Sequence, residues 1–148
     1  MNNETRFGQL TKEMVAEELR RLGDPCAAAA LVVSKTLNAA LDGPAALGQT
    51  SPEQVIEDAV KGAMTALLLA DQSLSRGSIL VLEAVAEAAG ERQIDPTVGM
   101  LAALRGIADL RRFVEPDRMD SIRLEIEAHY HGAGDAFNQY LREPLQVQ

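Results

Sequence analysis

Gly23-Asp24-Pro25-Cys26-Ala27-Ala28-Ala29-Ala30-Leu31-Val32-Val33 is the stretch that decides the class of this fold. Asp24 can cap a helix by accepting a bond from a free first-turn amide, and Pro25 suits that turn because its missing N–H has no partner there. The run from Cys26 to Val33 is apolar on every side of a helix. Such a helix must be buried all round, as the centre of a bundle or as part of a subunit interface. The uncharged run from Pro25 to Ser34 is far short of the ~20 residues needed to cross a bilayer.

The same opening recurs outward along the chain. Ser51-Pro52, Asp95-Pro96 and Glu115-Pro116 each precede an apolar periodic run. Ser51-Pro52-Glu53-Gln54 adds a Gln at the third helical position, the pattern of a capping box. The spacing predicts six helices: about Thr11–Leu22, Pro25–Leu41, Pro52–Ala70, a stretch after Ser73–Ser75 to Ala89, Pro96–Phe113 and Pro116–Leu141. Nothing alternates with period two for more than a few residues, so no strand is expected. The expected fold is all-α: one bundle of five to six helices over residues 11–142, with a polar arm at 1–10 and a tail at 143–148. Leu22-Gly23-Asp24-Pro25 before an apolar helix is similar to the turn of HEAT-like helical repeats. That resemblance implies, as an alternative, a stacked repeat pair.

Composition agrees with helices. Of 148 residues, 23 are Ala and only 3% are aromatic, with no Trp. Scarce aromatic and β-branched residues argue against a sandwich or barrel. The single Cys26 excludes a disulfide framework and a Cys-based zinc site, and its alanine neighbours make it a small core residue. The formal net charge is −8. Nucleic-acid binding needs cations that neutralise phosphates. The richest basic stretch, Arg105 to Arg123, is interleaved with Asp109, Glu115, Asp117 and Asp120. Neither nucleic acid nor membrane is therefore an expected partner. The first ten residues lack the apolar segment of a secretory signal, which points to the cytoplasm.

No phosphate-binding loop, dinucleotide fingerprint, zinc-protease helix or nucleophile elbow is present. The residues with chemistry lie in Glu125-Ile126-Glu127-Ala128-His129-Tyr130-His131-Gly132. On a continuous helix at about 100° per residue, His129 falls within the apolar face of Ile122 and Ile126, while His131 points the opposite way. The two imidazoles then cannot share an ion, and only Glu125 and His129 can act together. Glu-x-x-x-His on one helix does not match the di-iron bundle pattern. Ala128-His129-Tyr130-His131-Gly132 is similar to the histidine segment of HPt phosphotransfer bundles. It departs in its glycine spacing and in lacking a preceding Lys.

Two functions are open to this inventory. The first is a non-enzymatic helical protein–protein interaction or regulatory module, with no cofactor and no metal. The second is a small-ligand or metal-binding bundle, with or without catalysis, centred on Glu125 and His129. A polar cavity at His129 reached by a carboxylate or Arg of a second helix separates the second from the first. Apolar atoms on several sides of the second helix and in Leu67-Leu68-Leu69 also predict a homodimer, since exposed apolar patches usually mark contacts.

Overall fold

A computed structural model describes residues 8–14, 23–42 and 51–145. Residues 1–7, 15–22, 43–50 and 146–148 lie outside these, and with them the expected end of the first helix at Leu22. Every regular element among the described residues is helical, and seven α-helices lie among those residues rather than five or six. They are α1 (described at 8–14), α2 (Pro25–Asp42), α3 (Pro52–Leu69), α4 (Leu74–Glu91), α5 (Pro96–Ala108), α6 (Pro116–His129) and α7 (Ala133–Arg142). A 3₁₀ turn, Asp109–Arg112, closes α5 where the spacing predicts one helix to Phe113.

The proline-marked starts are capped as the sequence implies. Ser51 Oγ accepts from the Gln54 amide at 3.2 Å, Asp95 Oδ1 from Thr97 at 2.8 Å and Asp24 Oδ1 from Ala27 at 3.3 Å. Glu115 makes no side-chain cap. Gln54 does not complete the capping box, because its side-chain amide donates to Asp58 instead.

The extra helix arises from a break in the expected last one. Gly132 has φ +92°, a left-handed conformation that glycine adopts without strain. The Glu127 carboxylate accepts from the Gly132 and Gly134 amides, each at 2.9 Å. Free amides at the start of α7 are thereby satisfied by a side chain of α6.

The helices form two layers. In one, α2 packs on α4 and α4 on α6; in the other, α3 packs on α5 and α5 on α7. The hairpins α2–α3 and α4–α5 stack as neighbouring helical repeats do. Two arginines of α4 fix the stack. Arg76 near its start holds Asp24 before α2, and Arg92 just past its end holds Asp42 and Asn38 at the end of α2. The partners are 52 and 50 residues apart, start with start and end with end, so α2 and α4 run parallel. The third hairpin is turned: the C-terminal end of α6 reaches the N-terminal half of α4.

The centre of the bundle is α4, which packs against α2, α3, α5 and α6. It displaces α2, the helix expected there. The inner face of α2, including Cys26, Ala29, Val33 and Leu37, is buried, but Leu31 on its outer face is 40% exposed. The deepest side chains include Ile56, Met64, Leu82, Ile107, Ile126 and Phe137. Each contributes about 1.5–3 kcal/mol on leaving water.

Candidate functional site

The last turn of α6 presents Glu125 and His129 one turn apart, beside Ile122 and Ile126, which are buried in the core. The sequence places His129 within the apolar face; it stands instead at its edge, with a side chain 45% exposed. The reason is the helix end: Tyr130 leaves helical geometry at φ −135°, ψ 93°, and no further turn covers the imidazole. His129 Nδ1 donates to the Glu125 carbonyl at 3.1 Å and lies 3.6 Å from the Glu125 carboxylate. In the neutral tautomer that donates from Nδ1, Nε2 is the acceptor.

These two residues form one wall of a groove of 460 Å³. The other wall is the first half of α4. Ile79 and Leu80 supply apolar floor, Arg76 and Glu83 supply charge, and Ser73 and Ser75 close the end. Glu83 also lies near Tyr130; burial, then the Glu83 charge, raises the Tyr130 phenol. Arg76 is shared between the groove and Asp24, which accepts from it in bidentate fashion at 2.6 and 2.5 Å. That bond, with the Ala27 amide, lowers the Asp24 carboxyl to about 2. Just beneath, Cys26 is 2% exposed and donates to the Ser73 carbonyl, and burial pushes its thiol up.

The second histidine is elsewhere. His131 lies in the turn between α6 and α7, fully exposed, with Nδ1 3.2 Å from Glu127. Each imidazole therefore faces its own glutamate. Helix continuity fails at Tyr130, yet the expected separation of the two rings survives. Among the described residues, no group of three His, Cys, Asp or Glu side chains could hold a metal ion.

Sequence reasoning does not single out Arg76, Ile79, Leu80 or Glu83. One signal was available. A lone cation in the first turn of a helix opposes the helix dipole, so Arg76 needs a carboxylate from another element. Which carboxylate depends on the stacking of α2 on α4. No protein-family model, curated protein or solved structure matches the chain.

Proposed function

We propose that this chain is a non-enzymatic helical module that binds another polypeptide through the groove between α4 and α6. The observation that carries the reading is the open groove between stacked helices, with an apolar floor of Ile79 and Leu80 and charges of both signs on its rim. Stacked helical pairs present extended surfaces suited to binding. A partner side chain can bury apolar atoms on such a floor while its polar neighbours meet Glu83, Glu125 and His129. The same proposal places the module in the cytoplasm and pairs it with a second copy. Of the residues behind the dimer expectation, Leu31 on α2 and Leu69 at the end of α3 reach solvent, the latter 68% exposed, whereas Leu67 is buried.

A photo-crosslinking residue at Leu80 tests the groove in cells, with the same residue at the exposed Glu53 as control. The expected result is a polypeptide adduct from Leu80 alone, lost when Glu83 and Glu125 are both changed to Lys. No adduct, or equal adducts from both positions, overturns the reading. Light scattering at micromolar concentration tests the pairing, and a monomer throughout removes it.

A second reading, a small ligand in the same groove, is favoured by one specific observation. Arg76 and Glu83 reach the His129 wall from a second helix. A native mass spectrum with a retained small-molecule mass that disappears in His129→Ala and Glu125→Gln, without any polypeptide adduct from Leu80, supports it over the first.

A further inference from the structure

On the other layer, α3, α5 and α7 meet at a cleft with a different character. Arg105 lies over the ring of Tyr140, 4.4 Å from its centroid. Its guanidinium is 3.8 Å from Glu57 and 3.1 Å from Glu143. Lys61 also pairs with Glu57, at 3.1 Å, and Arg112 pairs with Asp109 at 2.7 Å. Arg111 differs from these. Its Nη1 donates to the Ala108 carbonyl and its Nη2 to the Glu143 carbonyl, at 2.9 and 3.1 Å. Its Nε is buried without an acceptor. Among the described residues no carboxylate neutralises it.

Four cations thus line a cleft with three carboxylates, on a chain whose net charge is −8. One of those carboxylates, Glu143, comes from the segment just beyond α7. That segment is extended, with Glu143 at φ −68°, ψ 144° and Pro144 next. It reaches the cleft as a ligand does, its side chain on Arg105 and its backbone carbonyl on Arg111. Removing it leaves Arg105 with only the longer pair to Glu57 and deprives Arg111 of one acceptor. The local excess of positive charge then rises.

We propose that this cleft docks an extended peptide segment of a partner protein that carries an oxyanion side chain, and that Glu143-Pro144 occupies it as an internal competitor. The oxyanion is a carboxylate or a phosphate; both accept the charged hydrogen bond that Arg105 offers to Glu143, while Arg111 donates to the segment's backbone carbonyl. Binding exchanges Glu143 for the incoming group, with no covalent step.

The test is an NMR titration of the full chain with three acetylated, amidated peptides. One is Leu-Arg-Glu-Pro-Leu, and the others carry Gln or phosphoserine in place of the Glu. A tethered competitor acts at roughly millimolar effective concentration, so Glu143→Gln should bind the Glu peptide about tenfold or more tightly than the unaltered chain. Shifts should centre on Arg105, Arg111 and Tyr140. The Gln peptide should not bind, and adding Arg105→Gln or Arg111→Gln should remove binding of the Glu peptide. Tighter binding of the phosphoserine peptide assigns the site to phosphate; tighter binding of the Glu peptide assigns it to carboxylate. Glu143→Asp keeps the charge but shortens its reach, and should show intermediate affinity if the Gln variant does not fold. Equal affinity of the variant and unaltered chains, equal binding of the Gln peptide, no binding of any peptide, or shifts outside the cleft overturns the proposal.

Discussion

Asp24 joins three jobs in one carboxylate: it caps α2, holds Arg76 and so ties the groove to the neighbouring hairpin. Its carboxyl falls from 3.8 to about 2, first because of the Arg76 hydrogen bond. A carboxyl lowered on folding stabilises the fold above its unfolded value, and the effect fades as pH falls through the folded value. Asp24→Asn should therefore lower the thermal midpoint near pH 6. The gap from the unaltered chain should close between pH 4 and pH 2, and a gap independent of pH removes the argument. His129 supplies a second prediction. Its side chain is half exposed and its hydrogen bond is local, so His129→Ala should cost below about 1 kcal/mol in urea denaturation. His131→Ala should leave the midpoint unchanged. Loss of partner binding in His129→Ala without loss of fold fits a contact role; a large loss of stability shows a core residue instead. Glu125 and His129 were legible in the sequence as a pair. The placement of their groove was not, because Arg76 and Glu83 reach them only through the packing of α4 on α6.

At the scale of the helix, caps were legible and breaks were less so. Proline after Asp or Ser marked the starts of α2, α3 and α5 because the first turn needs an acceptor and tolerates a missing donor. The division between α6 and α7 was hidden by apolar spacing that runs on from Ile122 and Ile126 to Ala133 and Phe137. The signals that betray it are Gly132 and the capping carboxylate of Glu127, a contact whose meaning depends on the turn already being formed. Where α3 and α5 cross, a Cβ at Gly106 would lie 2.7 Å from the Glu57 carbonyl and 3.0 Å from Val60 Cβ. Gly106→Ala should therefore destabilise by about 1–3 kcal/mol through overpacking, despite the better helix propensity of Ala. Gly90, near the end of α4, meets nothing within 4 Å. Gly90→Ala should instead stabilise by about 0.5 kcal/mol. Urea denaturation of the two variants checks both signs; equal shifts would show that propensity rather than crossing distance controls them.

For the whole molecule, the all-helical class was legible in composition and period, whereas the order of layers was not. Periodicity states which face of a helix is apolar, not which neighbour covers it. The repeat-like turn at Leu22-Gly23-Asp24-Pro25 hinted at stacking, but unequal proline spacings concealed it. The third hairpin breaks the pattern and turns the stack into a closed bundle. The arginine ties between α2 and α4 have a consequence in time. They join residues 52 and 50 positions apart, so neither can form until an entire hairpin has been brought round. Helical chains rich in local contacts fold fastest, and remote pairings slow the search. If α2–α3 and α4–α5 each form before they meet, the tie at Arg92 is made after the transition state. Arg92→Ala should then speed unfolding in stopped-flow experiments and leave the refolding rate nearly unchanged. A matching fall in the refolding rate would place that tie in the nucleus. On the predicted order, the two ties act as a late latch: they govern how long the stacked pair stays assembled more than how quickly it is found.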